Sequence, residues 1–130
     1  MSAPPLERIL YVDDEADIQQ VVTMSLEVDP GFEVRTCGSG ADAIMIARGF
    51  RPDLILLDVM MPDMDGPTTL SSLRMDRDLA ALPVIFLTAK AQKTEVERLR
   101  ALGAIDVIAK PFNPMTLAAR LREIWTAHHA

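Results

Sequence analysis

Four apolar segments of this chain each end in a residue that can take part in phosphate or metal chemistry. The first segment is followed by Asp13 and Asp14, and the other three by Asp58, Thr88 and Lys110. If the segments are parallel strands, their carboxyl ends meet at one edge of one sheet. Three carboxylates, a hydroxyl and an ammonium would then share a pocket, with Asp58 in the middle.

Such a set of side chains suits phosphoryl transfer. Crowded carboxylates repel one another, and a hard divalent cation such as Mg²⁺ relieves the repulsion. A carboxylate can attack phosphorus, while a metal, a lysine and a hydroxyl stabilise the phosphoryl oxygens. Asp58 is the best candidate for the nucleophile because the other groups flank it. Each motif alone is weak, since Asp13 and Asp14 could simply open a helix, but their joint placement favours this chemistry.

The elements that must position these residues alternate between strand and helix patterns. Five β–α units predict a parallel sheet with helices on both faces. The expected fold is α/β and flavodoxin-like: a doubly wound, five-stranded parallel sheet of order 2-1-3-4-5 with five helices. In that order the switch point lies between strands one and three, beside Asp13, Asp14 and Asp58. The predicted strands are Arg8–Val12, Glu33–Cys37, Asp53–Leu57, Val84–Leu87 and Asp106–Ala109.

Capping residues predict the ends of several helices. Ser39 is expected to cap a helix that stops before Gly49. Thr94 and Glu97 form a capping box for the fourth helix, and Asn113-Pro114 is expected to begin the last one. The predicted buried stripe of the first helix is Ile18, Val21, Val22 and Leu26.

Composition limits the kinds of partner that the chain can have. Its 130 residues, 49% hydrophobic and 25% charged, fit one globular domain. The net charge of −6 argues against direct nucleic-acid binding. No apolar run approaches the roughly 20 residues of a membrane helix, and no signal peptide is visible. We therefore expect a cytoplasmic protein without membrane contact.

The ordered motifs resemble the receiver domain of two-component response regulators, of the CheY-like, single-domain type. They are Asp13-Asp14, Leu54–Asp58 with Met61-Pro62 and Asp65-Gly66, Val84–Ala89, and Gly103-Ala104 through Lys110-Pro111-Phe112. The resemblance covers essentially the whole chain, which ends shortly after the fifth helix. It predicts one receiver domain over residues 1–130 with no output domain.

The resemblance implies a phosphorylation-activated signalling switch that catalyses only its own phosphorylation and dephosphorylation, and is otherwise not an enzyme. Asp58 would accept a phosphoryl group from a histidine kinase or a histidine phosphotransfer protein, and Thr88 and Lys110 would contact it. A cis bond between Lys110 and Pro111 is also implied. The Mg²⁺ ligands would be Asp13 (through a metal-bound water), Asp14, Asp58 and the main-chain carbonyl of Met60.

Phosphorylation is expected to change the surface formed by the fourth helix, the fifth strand and the fifth helix. This change would alter a contact with a downstream protein, or a weak homodimer through the same surface. Receivers commonly carry an aromatic residue where this chain has Val107, and a valine cannot swing as a planar ring does. We therefore predict that the signal passes through the loop after Thr88 and the helix near Thr94. Arg120, Arg122 and Asp106 could pair across a dimer or lie on a solvated helix face.

Three other functions fit the sequence less well. Phosphatases of the haloacid-dehalogenase type need a second aspartate two residues after the nucleophile, where this chain has Met60. A flavodoxin-like cofactor binder needs a hydroxyl- and glycine-rich phosphate loop, whereas Asp13-Asp14-Glu15 would repel phosphate in the absence of a metal. A scaffold that is never phosphorylated is disfavoured because every carboxylate, Thr88 and Lys110 are present.

Overall fold

The computed structural model describes residues 3–130 as alternating strands and helices. All neighbouring strands pair in parallel, in the order β2-β1-β3-β4-β5, which confirms the predicted flavodoxin-like fold. The elements are β1 Arg8–Val12, α1 Ala16–Glu27, β2 Glu33–Cys37, α2 Gly40–Phe50, β3 Leu54–Asp58, α3 Gly66–Met75, β4 Val84–Thr88, α4 Lys93–Ala101, β5 Asp106–Ala109 and α5 Leu117–His128.

The sheet separates two hydrophobic cores, as its nearly continuous apolar strands require. Alternate residues of β3 point to opposite faces. Leu57 belongs to the core that α2, α3 and α4 cover, and Leu56 to the core that α1 and α5 cover. All five residues of β3 and of β4 are buried, so the ends of these strands are held firmly. None of the helices described in residues 3–130 is long and apolar enough to cross a membrane.

Two of the predicted helix ends are wrong. Gly49 lies inside α2, which continues to Phe50, and Arg51 ends the helix in the left-handed conformation with φ 53°. Thr94 is the second residue of α4, and the capping position is Gln92, whose side chain makes no capping hydrogen bond. In both places the predicted capping residue lies inside the helix instead of at its end.

The start of α5 and one residue of α1 also differ from prediction. Asn113 opens a turn rather than the helix: its side-chain oxygen accepts from the Met115 N–H, and α5 begins at Leu117. Val21 is 42% exposed, whereas Val22 and Leu26 are buried as predicted. The stripe that α1 buries is therefore narrower than its apolar sequence, and Val21 contributes to the surface.

Gly66 is required where α3 begins beside the end of β3. A Cβ at this position would lie 2.6 Å from the Asp58 carbonyl oxygen and 2.9 Å from the Val59 Cα. We expect Gly66→Ala to lower the free energy of unfolding by about 1–3 kcal/mol, the usual cost of overpacking. Gly49→Ala is the matched control, because no atom lies within 4 Å of its added Cβ. It should raise stability by about 0.5–1 kcal/mol in urea unfolding, and equal effects of both substitutions would contradict this account.

Candidate functional site

The carboxyl ends of β1, β3, β4 and β5 bring the predicted residues together at one edge of the sheet. One oxygen from each of Asp13, Asp14 and Asp58 lies within 4.8 Å of the others. Asp13 is fully buried, Asp58 is 4% exposed and Asp14 is exposed. This cluster of oxygen donors, open to solvent at Asp14, fits a hard cation such as Mg²⁺.

Lys110 supplies the positive charge of this pocket. Its Nζ lies 2.9 Å from Asp58 Oδ1 and 3.3 Å from Asp13 Oδ2. Burial raises the pKa of the Asp58 carboxyl, and Asp13 adds to this; Lys110 and the Met60 N–H oppose the shift without cancelling it. Burial lowers the pKa of Lys110, but hydrogen bonds and charge from Asp58 and Asp13 outweigh it and leave that pKa raised. The lysine is thus held charged between two carboxylates.

Thr88 ends β4 on the strand next to Asp58. It is 2% exposed, and its hydroxyl accepts a hydrogen bond of 3.0 Å from the Lys90 N–H. This bond ties the first residues of the β4–α4 loop to the hydroxyl. Any movement of the Thr88 side chain must therefore change or break a contact of that loop.

Tyr11 is a member of the site that the sequence patterns did not single out, because it lies in the middle of an apolar strand. Its buried hydroxyl donates a hydrogen bond of 2.5 Å to Asp13 Oδ2. Alternation along a strand places residues i and i+2 on the same face, so the spacing of Tyr11 and Asp13 was a usable signal. Glu15 also contributes, because its N–H donates to Asp13 Oδ1 at 3.0 Å.

Three other residues singled out in the sequence border this pocket or its neighbourhood. Met60 follows Asp58 by two positions, and its side chain is 66% exposed. The peptide bond between Lys110 and Pro111 is cis, as the resemblance implied. Val107 is buried in β5, against the core on the side of α4.

Two of the three charged residues considered for a dimer, Asp106 and Arg122, have partners within the chain. Asp106 accepts from Arg100 at 2.6 Å. Arg122 binds Asp29 at 2.5 Å and stacks 4.2 Å from the centre of the Phe32 ring. Arg122 is therefore partly exposed but paired within the chain, whereas Arg120 is exposed on α5. A dimer that used Arg122 or Asp106 would first have to replace these intramolecular contacts.

Comparisons with known proteins agree with this geometry. The family described as the response regulator receiver domain matches residues 9–122. The DNA-binding response regulator MtrA of Mycolicibacterium paratuberculosis is 40% identical over 116 residues, which are 89% of this chain and 50% of that protein. The probable transcriptional regulator ycf27 of Porphyra purpurea is 40% identical over 118 residues, 91% of this chain and 47% of that protein. This chain thus spans about half the length of these curated relatives.

Solved structures match over nearly their whole length. The chemotaxis response regulator CheY4 of Vibrio cholerae has a TM-score of 0.82 and 34% identity, with 92% of this chain and 99% of that chain covered. A response regulator from Desulfuromonas acetoxidans has a TM-score of 0.80 and 32% identity, with coverage of 91% and 95%.

Proposed function

Since this chain belongs to the response regulator receiver domain family, we propose that it is a switch in which Asp58 accepts a phosphoryl group. The donor is a histidine kinase or a histidine phosphotransfer protein. We propose that residues 1–130 act as one receiver domain and that the output is a contact with a downstream protein. The cytoplasmic location expected from the sequence stays a prediction, as does the absence of direct nucleic-acid binding by this acidic chain.

The observation that supports this proposal best is the pairing of Asp58 with Lys110 beside Thr88. An oxygen of Asp58 forms the new bond to phosphorus while the bond from phosphorus to the donor breaks, and the leaving group keeps that electron pair. Lys110, whose Nζ lies 2.9 Å from Asp58 Oδ1, then donates to one phosphoryl oxygen and stabilises its negative charge. The Thr88 hydroxyl donates to another.

The metal part of the proposal depends on the cluster of carboxylates. Asp14 and Asp58 would bind Mg²⁺ directly, Asp13 would hold a metal-bound water, and the Met60 carbonyl would complete the protein ligands. Bound Mg²⁺ would neutralise negative charge on the phosphoryl oxygens.

A protein donor fits the surface beside the pocket. A groove of about 360 Å³ lies between α1 and the loop after β5, directly next to Lys110. Its other six lining residues are all apolar: Ile18, Val21, Ala89, Pro111, Phe112 and Pro114. The exposed Val21 gives α1 an apolar surface on which a helix of the donor can pack. This supports a macromolecular phosphoryl donor in addition to small ones.

The proposal is tested by intact-mass measurement after incubation with acetyl phosphate, with and without Mg²⁺. We expect one added phosphoryl group that forms only with Mg²⁺ and is lost at alkaline pH, as an acyl phosphate is. Borohydride reduction followed by peptide mapping should place it on Asp58. Absence of any adduct in the folded wild type would favour a scaffold that is not phosphorylated.

The Thr88 contact predicts how the signal leaves the pocket. When Thr88 turns toward the phosphoryl group, its hydrogen bond with the Lys90 N–H must change. We expect Mg²⁺ and beryllofluoride, a stable phosphoryl mimic, to shift the amide NMR signals of 89–102, and Thr88→Ala to reduce these shifts at least about threefold. Thr126→Ala, at an exposed position of α5, is the control. Unchanged signals over 89–102 in the wild type would reject this route.

A further inference from the structure

Asp13 has three hydrogen-bond donors around a fully buried carboxylate. Its Oδ2 accepts from the Tyr11 hydroxyl at 2.5 Å and from Lys110 at 3.3 Å, and its Oδ1 accepts from the Glu15 N–H at 3.0 Å. A carboxylate has about four lone-pair positions. Three of them are already used by the protein, so the direction left for a metal-bound water is set by these donors.

The three donors differ in what they do once a phosphoryl group is present. Lys110 also binds Asp58, at 2.9 Å, and the transferred phosphoryl group competes for the same ammonium. When Lys110 moves, Oδ2 of Asp13 keeps only one side-chain donor, the Tyr11 hydroxyl. Tyr11 cannot follow, because it is fully buried in the core beneath α1 and α5.

The hydroxyl of Tyr11 is well suited to act as a permanent donor. The phenol oxygen lies 2.5 Å from Asp13 Oδ2, and an ionised carboxylate only accepts, so the phenol is the donor of this bond. Asp13 also lies on the same strand face as Tyr11, so the two groups stay in register as long as β1 is intact.

We propose that Tyr11 is a positioning residue of the metal site: its hydroxyl holds Asp13 in the orientation that receives a metal-bound water, and frees Lys110 to follow the phosphoryl group. This inference rests on the proposed function. Groups that orient metal ligands commonly change metal affinity about 10- to 100-fold when they are removed. Mg²⁺ is sensitive to such errors because it demands near-ideal octahedral geometry.

The test is Mg²⁺ binding by calorimetry, without any phosphoryl donor, in a double-mutant cycle. Tyr11→Phe removes one oxygen and keeps the ring. We expect it to weaken Mg²⁺ binding about tenfold, and to add less than about twofold in an Asp13→Asn background. A loss of similar size in both backgrounds, or an effect of Tyr11→Phe within twofold of the wild type, would overturn the inference.

A second readout does not depend on a variant that folds. Tyr11 is the only tyrosine of the chain, so its hydroxyl proton gives one assignable NMR signal. That signal should be downfield, slow to exchange with water, and shifted by added Mg²⁺. A signal that exchanges rapidly or ignores Mg²⁺ overturns the inference. If the wild type incorporates a phosphoryl group with Mg²⁺ while Tyr11→Phe binds Mg²⁺ normally, only this inference fails. If the wild type neither binds Mg²⁺ nor incorporates a phosphoryl group, the proposed function fails as well.

Discussion

Asp58→Asn is expected to reduce Mg²⁺-dependent phosphoryl incorporation from acetyl phosphate to background. The amide nitrogen and oxygen of Asn have almost the shape of the carboxylate but lack its negative charge, so they neither attack phosphorus nor bind Mg²⁺ with the same strength. The other groups of the pocket remain in place. The loss would therefore report the nucleophile itself, measured as the fraction of intact protein that carries the adduct.

Asp63→Asn provides a closely matched control for this loss. Asp63 lies in the loop after β3, is exposed, and has φ 67°. Asn tolerates that conformation as well as Asp does, so the substitution makes the same chemical change close to the site without strain. It should keep the wild-type extent of phosphorylation. If the same fraction of Asp58→Asn protein carried the adduct, a residue other than Asp58 would be the acceptor.

The sheet and the pocket could be predicted from sequence because one geometric rule connects them. Parallel strands buried on both faces appear as continuous apolar runs, and the residue after each run lies on the same edge. The amino-acid sequence alone therefore sufficed to place Asp58, Thr88 and Lys110 together. The residue types then narrow the chemistry, because few functions need acids, a hydroxyl and a lysine in one pocket.

Local signals predicted the helix ends less well, since tertiary contacts decide them. Gly49 has no close neighbour and lies within α2. The next residue, Phe50, is buried, and its packing outweighs the helix-breaking tendency of glycine. Asn113 does form a local hydrogen bond, with the Met115 N–H, but the turn it opens is not yet helical. These residues show that a capping signal fixes a local bond and not the register of the helix.

Tyr11 and Val21 show a second limit of the sequence. An apolar or aromatic residue at a regular position predicts burial, but not what its polar atom meets or which part of a stripe stays exposed. Tyr11 is buried with its hydroxyl on Asp13, whereas Val21 is exposed beside the groove next to Lys110. The environment of Val21 depends on elements far apart in the chain, whereas the Tyr11 contact joins residues only two positions apart.

Val107 gives the proposed output route its physical basis. The side chain is 7% exposed in the resting structure, so it has no exposed position from which to turn inward. The Thr88 hydroxyl, in contrast, is bonded directly to the loop before α4. We propose that a change at the phosphoryl group reaches the loop before α4 through this hydrogen bond, without a swinging aromatic ring.

Lys110→Met is expected to have two opposite effects in the unphosphorylated protein. Without metal, Asp13 and Asp58 lose the cation that compensates them, and the free energy of unfolding should fall by about 2 kcal/mol, less than for a fully buried ion pair because Lys110 keeps some solvent contact. Mg²⁺ should bind about tenfold more tightly, because it no longer competes with the ammonium for the same carboxylate oxygens. Urea unfolding in EDTA and calorimetric Mg²⁺ titration measure the two effects.

Lys90→Met is the matched control, because Lys90 is exposed and close to the same edge of the sheet. It makes the same chemical change without touching either carboxylate, so both quantities should stay near their wild-type values. General damage from Lys110→Met would lower stability and weaken Mg²⁺ binding together. Lower stability combined with tighter binding is the result expected if Lys110 compensates the carboxylates that Mg²⁺ would bind. Weaker Mg²⁺ binding in this variant would contradict the arrangement of charges described for the pocket.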